Sequence, residues 1–462
     1  NEGSSGSPFK SLGHAIEHVT AGDTVMLKKG TYTGSDNREI EISANNSTTN
    51  FDNFKNVVIT SEKGADSTII DAGGQGRHFF IYGTQTKTID STLQFIGLTF
   101  TGGRQSDYAG SFYIETNSYH DNSINQNRAA LMQPKFTNCV FKDNQAGGDN
   151  DGGLGGAFRI SNAAPIFENC VFDSNYANGG GGAINVGGSS DAIRDTLWIR
   201  NCTFKNNYVN DTGVTNAGSV NGGAIMLDFG MNLIIANSLF EKNQAIQTVG
   251  NHGSYGGALM ISDNWSGQIK PYVWIANSRF TKNKVDHEGS NTNSHGGAIY
   301  GNAPFIMINT LIDNNSAEFS GSNGRGMGGG MMISMNSVWD GTYDQNQNQN
   351  QTQGHIYLIN NTIVNNYAFS NSDNGEGGGI QINNADRVHG TWFNNIFWGN
   401  RSDDASSTFN HNVRYSYQGS QQLQLNIDYN NIEFSEHVPD MMGSNSYDID
   451  PSFYSATNYQ LS

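Results

Sequence analysis

"FTNCVFKDN" at 136–144, "FENCVFDSN" at 167–175 and "IRNCTFKNN" at 199–207 are three copies of one phrase. It returns as "IANSLFEKN" at 235–243, "IANSRFTKN" at 275–283, "INTLIDNN" at 308–315, "INNTIVNN" at 359–366 and "FNNIFWGN" at 393–400. All but the last are answered downstream by a second phrase: "GGAFRI" at 155, "GGAINV" at 181, "GGAIML" at 222, "GGALMI" at 256, "GGAIYG" at 296, "GGGMMI" at 328 and "GGGIQI" at 377. A recurrence of roughly 31 to 40 residues marks a supersecondary unit that cannot bury its apolar side alone and must stack on its neighbours.

Each unit consists of short strand-like runs broken by Asn and Gly-Gly, with no helical period between them. The expected fold is therefore all-β: a right-handed parallel β-helix, with equivalent residues of successive coils about 4.8 Å apart. Phe141, Phe172, Phe204, Phe240, Phe280, Ile312, Ile363 and Phe397 then form an interior ladder. The row Asn138, Asn169, Asn201, Asn237, Asn277, Asn309, Asn360 and Asn394 is expected to be a hydrogen-bonded amide ladder. The row from Asn144 and Asn175 to Asn366 and Asn400 is expected to serve a left-handed turn, which Asn tolerates. Cys139, Cys170 and Cys202 occupy one repeat position, 31 and 32 residues apart, followed by Ser238, Ser278 and Thr310. That succession favours a slot for small buried residues over a metal site or a disulfide.

The ends differ. Phe9, Leu12, Ile16 and Val19 share one helical face, with Ser7 at the N-cap and Pro8 in the first turn, so a short helix is expected to lid the core. One domain over 1–462 is expected: cap and first strand at 1–35, irregular coils at 36–135, regular repeats at 136–400 and closing coils at 401–462. "DQNQNQNQTQG" at 344–354 reads as a low-complexity loop.

Composition limits function. A net charge of −17, from 42 acidic and 25 basic residues, argues against a nucleic-acid surface. It also disfavours steering of strongly anionic polymers unless cations or local basic patches intervene. No run of apolar residues is long enough to span a membrane.

"GSSGSPFKSLGHAIEHVTAGDTVMLKKGTY" at 3–32 resembles the leading segment of secreted pectate-lyase-like β-helix proteins. The "F-x-N-C-x-F-x-x-N" and "G-G-A-I" phrases resemble right-handed β-helix repeat proteins and the repeats of polymorphic outer-membrane proteins. "NNIFWGN" and "DIDPSFYSATNYQLS" are similar to bacterial surface β-helix proteins with a C-terminal sorting anchor. The resemblance implies the fold and an extracellular or cell-surface location, on an architecture that hosts lyases, hydrolases, adhesins and spacers. It also implies that this chain is a piece of a longer surface protein.

Candidate site residues come from the second phrase. The residue two after its Ala, or third Gly, should point away from the core. That column reads Arg159, Asn185, Met226, Met260, Tyr300, Met332 and Gln381. Read as exposed, it is an apolar strip for a sugar face or a protein partner; the alternative is that loops fold over it. Insertions at 209–221, 245–255, 285–295, 317–327 and 334–354 bracket the same coils. A polysaccharide lyase needs a base and a cation that neutralises the uronate. His295 with Tyr255 or Tyr300, and Arg325 as neutraliser, is the best set. The Lys/Arg or Lys/calcium sets implied by the lyase resemblance are absent from these columns. A hydrolase would need paired carboxylates, and Asp228, Asp263 and Glu376 form no such column. Asp149, Asp151, Asp373 and Glu376 lie in Gly-rich loops that offer a loose structural calcium site, with turn chemistry as the alternative. The first expectation is a secreted or cell-surface module that binds polysaccharide or a surface protein, or acts as a spacer or adhesin. The second is a polysaccharide lyase.

Overall fold

Phe136, Phe141 and Phe158 have no exposed surface, while Thr137, Val140, Lys142 and Arg159 beside them in their strands are partly exposed, and this alternation organises the whole computed structural model. It describes residues 3–43, 55–123, 126–148, 152–188, 192–193, 195–211, 218–228, 231–249, 252–262, 272–290, 292–335, 354–371, 375–385, 388–403, 411–416, 424–433, 445–455 and 458–461. One coil runs through Lys135–Thr137, Val140–Lys142, Gln145–Ala146 and Phe158–Ser161. Each strand pairs in parallel with its equivalent a coil later: Phe136 with Phe167, Phe141 with Phe172, Phe158 with Ile184. The chain is a parallel β-helix, right-handed as parallel crossovers are. We call the sheets containing Phe136, Phe141 and Phe158 the first, second and third.

The residues fall into two compact units. One comprises Asn1–Gly218, Ala224–Ile234 and Ser266–Ile269; the other comprises Ser219–Gly223, Ile235–Trp265 and Lys270–Ser462. In the first unit, three columns of rings fill the interior. Phe112 stacks between Phe79 and Phe158 at 5.0 Å on each side. Phe136 stacks between Phe95 and Phe167 at 4.9 and 5.1 Å, and Phe172 stacks on Phe204 at 4.4 Å. The columns meet edge to face, as between Phe141 and Phe158 at 4.7 Å, which pairs ring edges with ring faces. In the second unit Phe280 stacks on Phe240 at 4.5 Å and pairs in register with Ile312.

The left-handed backbone expected of the second Asn row is carried by the first, which also keeps side-chain amide links from Asn309 to Asn277 at 3.2 Å and from Asn394 to Asn360 at 2.8 Å. Asn138, Asn169, Asn201, Asn237, Asn277, Asn309, Asn360 and Asn394 carry the left-handed backbone, with φ between 49° and 56°. The buried amide ladder is the other row. Asn144 Nδ2 donates to Asn175 Oδ1 at 3.0 Å, and Asn175 Nδ2 donates to Asn207 Oδ1 at 2.9 Å. Each amide also holds a backbone carbonyl of the preceding coil, as Asn175 Nδ2 holds Phe141 O at 3.0 Å. The second unit repeats this through Asn243, Asn283, Asn315, Asn366 and Asn400. The left-handed residue at this bend is the one before, for example Asp143, Ser174 or Asn206. That position lies outside and accepts several side chains, whereas the buried position needs both a donor and an acceptor.

The cysteine slot follows the same logic. The Cys139, Cys170 and Cys202 thiols are free and buried, and each points at backbone carbonyls, as Cys170 Sγ does at Glu168 O, 3.4 Å away. The slot also accepts the backbone N–H of the preceding coil: Cys170 N reaches Cys202 Sγ at 3.4 Å, and Thr310 N reaches Asn361 Oδ1 at 2.9 Å. From Asn361 through Asn395 to Asn430 the slot becomes a second amide ladder.

At the N-terminus the helix spans Leu12–His18, with Ser11 at its N-cap and not Ser7. It buries Leu12, Ala15 and Ile16, and Leu12 N–H is capped from afar by Asn37 Oδ1 at 2.8 Å. Lys55 Nζ binds the carbonyls of Ile16 and Val19 at the other end, at 2.7 and 2.9 Å. Near the C-terminus, Phe453–Ser455 and Asn458–Leu461 form an antiparallel pair instead of a further parallel coil. The tract 344–353 lies outside the described residues.

Chemical denaturation checks this division of labour. Phe172→Ala should cost about 3–5 kcal/mol. Asn175→Ala, which strips Asn144 of its acceptor, should cost about 2–4 kcal/mol. Asn201→Gly, at an exposed left-handed position, should stay within about 0.5 kcal/mol of the parent.

Candidate functional site

In the second unit the residues before Gly-Gly build a ladder of their own. Val220–Asn221, Ser254–Tyr255, Ser294–His295 and Gly326–Met327 pair in parallel, and Met327 bridges to Glu376. The glycines after them permit this bend: Gly256 and Gly296 have φ of 64° and 72°, and a Cβ on Gly297 would sit 1.9 Å from Gly329 O. Tyr255 therefore lies flat on His295, with centroids 4.8 Å apart and planes 6° from parallel. Tyr300 presents its edge to Tyr255 at 4.8 Å and to His295 at 6.0 Å. His295 Nδ1 is 2.9 Å from Met332 Sδ.

Of the two readings of the outward column, an exposed strip or one with neighbouring segments folded over it, the second holds at Tyr300 and Met332. Tyr300, Met327 and Met332 form a buried cluster with Tyr255 and Met260 packed against it, and Gln381 is wholly buried. The two-residue strands ending in Tyr255, His295 and Met327 supply the cover over Tyr300 and Met332. Desolvation, then the neighbouring His287, drives the pKa of His295 down to about 3 from the ordinary 6.5. Desolvation likewise raises Tyr255 and Tyr300.

Arg325 does not stand free as a uronate neutraliser. It pairs with the buried Glu376 carboxylate, which also takes Arg414. The same pairing occupies Glu376, leaving it unsuited to a calcium shell. Asp149, Asp151 and Asp373 lie outside the described residues. The structure thus brings together Tyr255, His295 and Tyr300, and sets Arg325 and Glu376 against each other.

The first unit carries the more open arrangement. Its third-sheet column reads Phe80, Tyr113, Arg159, Asn185 and Met226 in register, with Tyr82, Glu115 and Ser161 two residues on. Phe80, Tyr82, Tyr113, Arg159 and Met226 are half-buried, and Tyr108 is exposed beside them. The Arg159 guanidinium lies 5.5 Å from the Tyr108 ring centre, and that of Arg77 lies 5.4 Å from Tyr113. Arg77 is tethered by Glu39 at 3.8 Å and Asp107 at 3.9 Å. Arg159 donates from Nη1 to Asn185 Oδ1. Its Nε and the Nδ2 of Asn185 are buried and have no hydrogen-bond partner among the described residues. Burial, then the Glu115 charge, pushes Tyr113 up to about 12. Burial also lowers Arg159, and neighbours including Tyr113 and Asp228 oppose it.

Sequence reading reached Arg159, Asn185 and Met226 but missed Phe80, Tyr113 and Tyr108. The first two sit in coils without Gly-Gly. Their signal was the alternation in "FFIY" at 79–82 and "FYIE" at 112–115, which matches "FRIS" at 158–161.

No protein-family model matches the chain, and no curated protein matches it. Among solved structures it is similar to a mannuronic acid specific polysaccharide family 6 lyase from human gut microbiota, at 12% identity and TM-score 0.37 over 87% of each chain. It is similar to the PL6 family polysaccharide lyase Pedsa3628 from Pseudopedobacter saltans, at 12% identity and TM-score 0.37 over 97% of this chain and 96% of that one. The PL6 family alginate lyase AlyGC follows at 12% identity and TM-score 0.23, over 92% and 75%. Values this low say nothing of activity. No helix of the described residues is long and apolar enough to cross a membrane.

His295 gives a test by pH. Its folded pKa is below the unfolded value, so its contribution is complete above about 6.5 and is lost as pH falls from there toward about 3. Over that window the parent should lose up to about 1.4 kcal/mol per pH unit relative to His295→Gln, measured by urea unfolding at stepped pH.

Proposed function

We propose that this chain is an extracellular module that binds polysaccharide along the third-sheet face of its first unit. The observation that carries the reading is the pair of buried, unanswered donors, Arg159 Nε and Asn185 Nδ2, beneath a rim of aromatic rings. A buried donor without an acceptor costs free energy, and a ligand oxygen would remove that cost. Sugars offer such oxygens along with apolar ring faces suited to Tyr108, Tyr113 and Phe80. The two donors fit either a pair of hydroxyls or one carboxylate.

A second reading, a lyase on a uronate-containing glycan, is favoured by the register neighbours Tyr113 and Arg159. Arg159 would hold the carboxylate. Tyr113, hydrogen-bonded to Glu115, would be the proton-transfer group, protonated at neutral pH because burial holds its pKa near 12. The His295, Tyr255 and Arg325 set is the competing location. It is handicapped by the weak basicity of His295 and by the Arg325–Glu376 pair.

One panel tests both readings. Neutral and uronate polymers are offered to the protein with and without calcium, and both binding and the ultraviolet absorbance of unsaturated product are followed. Binding that weakens at least about tenfold in Arg159→Ala and Tyr113→Ala, without product, is the expected result. Product that vanishes in Arg159→Ala but persists in His295→Ala establishes the lyase reading on the first unit. The opposite pattern locates it in the second. Full binding by Arg159→Ala would refute the proposal.

A further inference from the structure

The capping helix carries a group of side chains that neither reading uses. His14, Glu17 and His18 stand at i, i+3 and i+4, so the helix places all three on one face. Their ligand atoms lie within 4.8 Å of one another, with His14 Nδ1 and Glu17 Oε2 3.5 Å apart. We propose that these three residues bind a divalent transition-metal ion of the zinc type.

Several details prepare the site. His18 Nδ1 lies 2.8 Å from His14 O, a carbonyl that can only accept, so the proton sits on Nδ1 and Nε2 is left with its lone pair. A ring nitrogen anchored on a backbone carbonyl in this way is the usual support of a metal-binding imidazole. The imidazoles pack 4.2 Å apart, and Phe9 adds an apolar wall at 5.1 Å from His14 and 5.2 Å from His18. Two imidazoles and one carboxylate make a donor set for zinc, with bonds of about 2.0–2.2 Å and the fourth position open. Exposed rotamers need close by only about 1–2 Å to reach that geometry. His14 and Glu17 also line a cleft of about 540 Å3 with Asp36, Arg38, Glu39 and Glu41, which places further carboxylates close to the cluster. The net charge of −17 further favours a cation.

Binding would also fasten the cap. The helix has seven residues and no side-chain hydrogen bond from its N-cap, so a link between His14 and His18 ties a turn that is marginal alone.

The experiment uses the full chain freed of metal by chelation, with zinc chloride as the probe in isothermal titration calorimetry. We expect one tight equivalent and a melting temperature that rises with zinc concentration. His14→Ala/His18→Ala, two exposed substitutions to a better helix former, should abolish that equivalent and the thermal shift while far-ultraviolet circular dichroism is unchanged. Glu17→Gln should weaken binding about tenfold or more, and the exposed His252→Ala should change nothing. Cobalt should give the intense visible absorption of a four-coordinate ion in the parent only. The proposal fails if the parent binds no zinc, if the double variant keeps its equivalent, or if His252→Ala removes it.

Discussion

The interaction on which the structure depends is the buried amide that serves three masters at once. Asn144 and Asn175 each donate to the oxygen of the next amide and to a backbone carbonyl of the coil before, while the Asn175 oxygen also takes the backbone N–H of Asn144. A tight bend of a β-coil leaves main-chain groups that no sheet can pair, and burying them unpaired would cost about 1–3 kcal/mol each. The ladder satisfies them with one residue per coil. The Phe columns can then close over an interior in which the described turns have partners for most of their polar atoms.

The periodic part of this was legible in the sequence. Phe141, Phe172 and Phe204 recur in a spacing that only stacked coils explain, and the structure puts them face to face. The roles of the two Asn rows were not legible, because asparagine suits both a left-handed backbone and a buried amide. Only the exposure of Asn201 against the burial of Asn207 separates the two uses. The bend in front of it gives the same lesson, since Asp143, Ser174 and Lys242 share a left-handed φ that their residue types do not advertise.

The sites were read with less success for a physical reason. Alternation predicts which way a side chain leaves its own strand but not what is laid on top. Tyr300 and Met332 do leave the third sheet on its outer face, yet strands of only two residues, too short to carry a period, lie over them. In the first unit the error ran the other way. Tyr113 and Phe80 occupy the column of Arg159, but their coils lack the Gly-Gly phrase used to find it. Register between neighbouring coils does set Tyr255 on His295 and Arg159 beside Tyr113.

The amide rows also have a direction. In the links Asn144–Asn175–Asn207 and Asn243–Asn283–Asn315–Asn366–Asn400, one Nδ2 hydrogen points to the amide of the next coil, so this row ends on an acceptor outside the repeat: Asn400 Nδ2 donates to Asn412 Oδ1 at 2.8 Å, and Asn412 Nδ2 donates to the carbonyl of Glu433 at 2.9 Å. Such a row behaves as a vectorial chain whose last link must be borrowed from outside the repeat. Gene duplication can therefore lengthen the stack by whole coils without orphaning a single amide. The loops between linked amides can differ in length without breaking a link, since Asn144 and Asn175 are 31 residues apart while Asn315 and Asn366 are 51 apart.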